Sequence, residues 1–252
     1  MDTVARLTIL LFIISSLIHH ISSSQTIRLP SEASISTSYC DSWRLAVETN
    51  NVGQWKQIPA RCVESVAEYM IGEKYESDCE VVGKFSAEFV KGVTVGGDGR
   101  DAWVFDIDET LLSNVPYYQD VGFGSKIFNE TSFNDWVNLA DAPALPASLS
   151  FYRKLQELGF TIFLLTGRSE HQRNVTEANL LFAGYRNWER LILRGASDQG
   201  KSATSYKSEK RQELMSEGYR IHGSSGDQWS DLWGYAVSTR SFKLPNPMYF
   251  IG

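Results

Sequence analysis

The chain has 252 residues, of which 42% are hydrophobic and 21% charged, and no low-complexity tract or internal repeat interrupts it. That is enough for one α/β domain and a smaller appendage. The net charge of −6 and the lack of any Lys/Arg block argue against nucleic acid as a partner, because such binding rests on neutralising phosphates.

Arg6 precedes an apolar run from Leu7 to Ile18, and Ser22, Ser23 and Ser24 follow. This is the layout of a secretory signal peptide over residues 1–24, cleaved near Ser24–Gln25. The run is shorter than the roughly 20 residues that span a bilayer, so no membrane association is expected after cleavage. The secretory pathway leads to a vacuole or to the cell exterior, and the sequence does not choose between them. Cys40, Cys62 and Cys79 allow at most one intramolecular disulfide, with three pairings open. Asn129-Glu-Thr and Asn174-Val-Thr are N-glycosylation sequons in that setting.

Residues 25–38 are rich in Ser and Thr and are expected to form a loose leader. Residues 39–95 carry apolar side chains at helical spacing, with Val63, Val66, Ala67 and Met70 on one face. Gly96-Gly97-Asp98-Gly99 breaks the pattern. Residues 25–98 thus form a leader and helical region, and residues 99–252 a second domain. There, the apolar runs AWVFDID, FTIFLLTG, RLILRG and YRIHGSSGD end in polar or Gly residues. Helical periodicity lies between them, at 146–158, 169–183 and 204–217. Alternating strands and helices predict an α/β fold, a Rossmann-like parallel sheet with helices on both faces. In such sheets ligands bind beyond the carboxyl ends of the strands.

The first run ends in Asp106-Ile107-Asp108-Glu109-Thr110. Two carboxylates so close behind a buried strand repel unless a cation sits between them, and Mg²⁺ shared with a substrate phosphate would supply one. The alternative is a pair of turn aspartates capping a helix. Three further features sit at strand ends or crossovers: Thr166-Gly167-Arg168, Lys207, and Asp227 with Asp231.

In this order the residues resemble the haloacid dehalogenase superfamily of phosphotransferases: D-x-D-x-T, a strand-ending Ser/Thr, a Lys, then an acidic pair. FDIDETLLSN, LTGRSE, YKSEKR and GDQWSDLWG are similar to its plant acid phosphatases and vegetative storage proteins. So are CDSWR near the start and FKLPNPMYFIG at the end. The resemblance implies that Asp106 is the nucleophile that becomes an aspartyl phosphate and Asp108 the acid and base. Thr166 would bind a phosphoryl oxygen, and Lys207 would neutralise charge. It implies Mg²⁺ held by Asp106, the Asp108 carbonyl and Asp227, with Asp231 orienting a metal-bound water or Lys207. Lys201 and Lys210 lie near Lys207, and Ser224 stands where this family more often has Asn.

The expected function is therefore Mg²⁺-dependent hydrolysis of small phosphomonoesters. A storage glycoprotein with weak or vestigial activity is the rival reading, which the retained Asp106 disfavours. The oligomeric state stays open, a homodimer included. Pro116, Tyr117, Tyr118, Phe123, Phe128, Phe133 and Trp136 either line the mouth of the site or pack the N-terminal helices. His171 and His222 are read as structural. With four His, two of them in the signal peptide, and no Cys-x5-Arg or Arg-His-Gly, other phosphatase chemistries fit poorly.

Overall fold

The structure, a computed structural model, describes residues 32–252, so the expected signal peptide lies outside the described residues. Residues Ser36–Gly252 form one compact unit. Three helices open it: α1 (Glu32–Glu48), α2 (Val63–Ile71, after a 3₁₀ turn at Ala60–Cys62) and α3 (Glu73–Lys91). Helix therefore begins inside the segment expected to be a loose leader. Once Cys40, Trp43 and Val47 are packed inward, extending the helix backwards costs far less than starting one.

Five strands follow: β1 (Asp101–Phe105), β2 (Thr161–Ser169), β3 (Arg190–Arg194), β4 (Arg220–Gly226) and β5 (Arg240–Lys243). All pair in parallel, in the order β3-β2-β1-β4-β5. This is the expected parallel α/β sheet. Between β1 and β2 lie α4 (Val115–Val121), α5 (Glu130–Leu139) and α6 (Pro146–Glu157). After β2 come a 3₁₀ turn at Glu170–Gln172 and α7 (Arg173–Phe182), then α8 (Ala203–Ser216) and the short α9 (Trp229–Leu232).

The strands lack polar alternation because both faces are covered. Trp103, Phe105, Ile162 and Leu164 join Val90, Phe151 and Leu155 from α3 and α6 on one face. Ala102, Val104, Phe163 and Leu165 meet Tyr206 and Leu214 of α8 on the other. Gly223 lies beside Trp103, where an added Cβ would come within 2.2 Å of the indole. A third cluster unites Trp43, Val66, Tyr69, Met70 and Tyr75 with Tyr117, Tyr118, Phe123 and Met248. These aromatics of the 115–137 segment therefore pack the N-terminal helices, and Phe128 stays exposed.

Cys40 and Cys62 form the disulfide, and Cys79 is a buried free thiol. The bridge ties α1 to the turn before α2, closing a loop with a sequence separation of 22. A closure of that length stabilises by about 3 kcal/mol through the unfolded chain. Replacing both cysteines by serine should lower the unfolding free energy by roughly that amount in urea titration. An unchanged midpoint would show that the N-terminal packing alone holds this segment.

Candidate active site

The strand order reverses direction at β1, so the carboxyl ends of β1 and β4 diverge there and leave a crevice. Asp106 lies one residue past β1, and Asp227 one residue past β4. The Asp106 amide still donates to the Ser225 carbonyl at 3.0 Å, which fixes its backbone to the sheet. The chain then winds around the Ile107 carbonyl, which accepts from the amides of Thr110, Leu111 and Leu112. Glu109 takes a φ of 54° in this turn, uncommon for a residue with a Cβ. Leu111 and Leu112, both in the core, anchor it.

Lys207, in the second turn of α8, donates to Asp106 Oδ1 and to Asp231 Oδ1, each at 2.5 Å. Its neighbours in sequence go elsewhere: Lys201 pairs with Asp198 and Glu209, and Lys210 with Glu213. The second oxygen of Asp231 accepts from the Gln228 amide at 2.9 Å. Arg211, one turn beyond Lys207 and fully buried, donates to the carbonyls of Asp231 (2.7 Å), Trp233 (2.6 Å) and Ala236 (2.9 Å). The helix that carries Lys207 thereby also holds the segment that carries Asp231.

Asp227 accepts at Oδ2 from Gln228 Nε2 and Asn246 Nδ2, both at 2.7 Å, and at Oδ1 from the Thr110 hydroxyl at 3.3 Å. Asp108 is gripped at both oxygens by Arg168 (2.7 and 3.1 Å) and again by Asn114 Nδ2 (2.9 Å). Its side chain is therefore held, not free. Asn114 also donates to Glu109 and accepts from Trp136, and Glu109 accepts from the Tyr249 hydroxyl. Thr166, wholly buried within β2, accepts from the Arg168 amide at 3.1 Å. Ser224 is buried, with no partner for its hydroxyl among the described residues. His222 contacts Asp101 at the start of β1, the opposite end of that strand from Asp106, and His171 is exposed beside Ser169.

Negative charge is in excess here. Burial pushes the Asp106 carboxyl upward and Lys207 pulls it down; Asp231, Asp227 and Asp108 tip it well above the usual range. Burial opposes the charge on Lys207 too, but Asp106 and Asp231 outweigh it and keep the ammonium protonated. Asp227 is pushed up to about 7 by burial, Asp231 and Glu109, and Glu109 to about 7 by burial and Asp108. Asp108 alone is lowered, since the Arg168 guanidinium outweighs its burial. One oxygen each from Asp106, Asp227 and Asp231 lies within 4.8 Å of the others. Such a buried all-oxygen set, short of positive charge, suits a hard divalent cation.

The structure thus brings Asp106, Asp108, Thr166, Lys207, Asp227 and Asp231 to one end of the sheet. The sequence carries no signal for the roles of Arg168, Asn114, Glu109, Arg211 or Asn246, whose side-chain contacts within the site cross from 5 to 140 positions of chain.

A phosphatase site on a parallel α/β sheet is the class this arrangement defines. The chain belongs to the haloacid dehalogenase (HAD) superfamily, subfamily IIIB (acid phosphatase), whose model matches residues 24–252. Acid phosphatase 1 of Solanum lycopersicum is 54% identical, over 84% of this chain and 83% of that protein. Vegetative storage protein 2 of Arabidopsis thaliana is 38% identical, over 86% and 82% respectively. The class C acid phosphatase of Bacillus anthracis shares the fold, with a TM-score of 0.63 at 24% identity over 75% of this chain and 85% of that one. The family implies a small phosphate ester as substrate.

The raised carboxyls make a prediction for the metal-free protein. Asp227 and Glu109 ionise near 7 when folded but near 4 when unfolded. The fold favours their protonated forms, so this contribution is complete below about pH 4 and lost as pH rises through about 7. Unfolding free energy measured in urea with chelator present should fall between about pH 5 and pH 8. A rise across that interval would contradict the charge assignment.

Proposed function

We propose that this protein is a Mg²⁺-dependent acid phosphatase that hydrolyses phosphomonoesters through an aspartyl phosphate on Asp106. The observation that carries this reading is the state of Asp106. Lys207 holds its Oδ1, while Oδ2 has no donor among the described residues, beside two further buried carboxylates.

Asp106 Oδ2 attacks phosphorus as the bond from phosphorus to the ester oxygen breaks. The departing alkoxide takes a proton from Asp108. Asp108, again ionised, then accepts a proton from the water that attacks the aspartyl phosphate, releasing orthophosphate and restoring Asp106. Arg168 favours the ionised form of Asp108, which suits the second step and opposes the first, so the first step gains as pH falls and more of Asp108 is protonated. Thr166 and Lys207 face the phosphoryl oxygens. Mg²⁺ would be held by Asp106, Asp227 and the Asp108 carbonyl, and would neutralise phosphoryl charge. Asp227 Oδ1 accepts only from Thr110 and so keeps a lone pair for it. Both oxygens of Asp231 are already bonded, so Asp231 positions Lys207.

The likeness to a storage protein favours a nutrient-reservoir role as a second reading, one that the intact cluster does not exclude. The Cys40–Cys62 disulfide and the exposed sequon residues Asn129 and Asn174 support passage through the secretory pathway, to a vacuole or outside the cell. Residues 99–252 are then the phosphatase domain, preceded by a leader and helical region over residues 25–98.

Asp106→Asn is nearly isosteric and cannot act as the nucleophile, so turnover of a generic phosphomonoester should fall at least about 10³-fold. EDTA should remove wild-type activity and added Mg²⁺ restore it. Wild-type rates in the folded mutant, or full activity without metal, would refute the mechanism or the cofactor respectively.

A further inference from the structure

The nine residues after β5, 244–252, add no strand to the sheet, yet they reach its chemistry. Asn246, 1% exposed, sits between Pro245 and Pro247, which fix their own φ and bias the residue before each to extended backbone. Its side-chain amide is bonded at both ends. Nδ2 donates to Asp227 Oδ2 at 2.7 Å, and Oδ1 accepts from the Met248 amide at 2.9 Å. Its backbone amide donates to Glu48 Oε1 at 2.9 Å.

Glu48 is the last residue of α1. Its other oxygen accepts from Lys243 Nζ at 2.6 Å, and its carbonyl from Trp229 Nε1 at 3.1 Å. Lys243 ends β5, and Trp229 begins α9, the helix of Asp231. Leu244 and Met248 bury on either side of Asn246, in the cluster that holds Trp43 and Tyr69. Gly124 lies against the Met248 carbonyl so closely that a Cβ there would come within 1.8 Å of it. The tail is clamped at both ends around Asn246, which shares Asp227 Oδ2 with Gln228 Nε2.

We propose that Asn246 is a positioning residue for Asp227, and that Glu48 sets Asn246, so the N-terminal helices reach the metal site through the C-terminal tail. The inference rests on the reading of Asp227 as a metal ligand. A carboxylate ligand is held in one rotamer by the donors on its far oxygen, and losing such a partner typically costs about 10–100-fold in metal affinity. Glu48 is more than 170 positions from Asp227 in sequence, yet one residue separates them in space.

Titration calorimetry of the metal-stripped protein with MgCl₂ tests this without reference to turnover. Asn246→Leu, close in size and unable to donate, should weaken binding about 10-fold or more. Glu48→Ala should weaken it several-fold, and the double variant no further than Asn246→Leu alone, because both act through one contact. Circular dichroism confirms which variants are folded, and Glu48→Ala carries the test if Asn246→Leu does not fold. Folded variants with wild-type affinity would overturn the inference and leave the metal assignment standing. Additive losses would overturn the part played by Glu48. No Mg²⁺ binding by the wild type would overturn the metal assignment itself, and this inference with it.

Discussion

The site depends on one buried ammonium. Lys207 sits between Asp106 and Asp231, 2.5 Å from each, with all three side chains under one-tenth exposed. A buried charge is tolerated only when paired and hydrogen-bonded, so this lysine dictates where three elements must end. β1 must stop at Asp106, β4 must turn just beyond Gly226, and α8 must lie across both. Gly226 permits the turn, since an added Cβ would strike the Asp231 side chain at 2.4 Å. Arg211 then fastens the Asp231 segment to α8 through backbone carbonyls alone, adding no second ion pair to compete for the aspartate.

Around this pair the two motif aspartates are treated in opposite ways. Asp106 is surrounded by like charge and left with an open oxygen, whereas Asp108 is clasped by Arg168 and Asn114. Two carboxyls two residues apart are thereby pushed to different ionisation behaviour: without a metal, Asp106 towards its neutral acid and Asp108 towards its anion. Asp108 has no unengaged oxygen in this arrangement. Arg168 engages both, and its reach back across the sheet crosses 60 positions.

Much of the fold was readable because burial on both faces leaves a plain signal. The four apolar runs expected as strands contain β3 and β4 and overlap β1 and β2, which begin one residue earlier and run two residues further respectively, and the polar residues that end the runs form the site. β5 was missed, since Arg240-Ser-Phe-Lys is a short edge strand with a single buried apolar residue, Phe242. Helices α4 and α5 are short and are not expected from the sequence, although Asn129 before Glu130 is an N-cap signal and accepts from the Ser132 amide. The helix expected from 169 begins at Arg173, because β2 runs on to Ser169 and a 3₁₀ turn follows. Lys207 holds the motif position, and the pairings of Lys201 and Lys210 with Asp198, Glu209 and Glu213 are the physical reason that neither takes its place. Arg168, Arg211 and Asn246 could not have been assigned partners, because each reaches groups that only the folded chain brings near.

The central claim is a covalent bond between Asp106 and phosphorus. It is tested most directly by quenching Asp108→Asn in the presence of a phosphomonoester whose leaving group needs no proton, reducing the protein with borohydride, and sequencing its peptides by mass spectrometry. Losing the base should slow hydrolysis of the intermediate, and borohydride converts an aspartyl phosphate to homoserine. The account predicts homoserine at position 106, dependent on substrate. Modification of a different residue, or none while a single turnover proceeds, would contradict it.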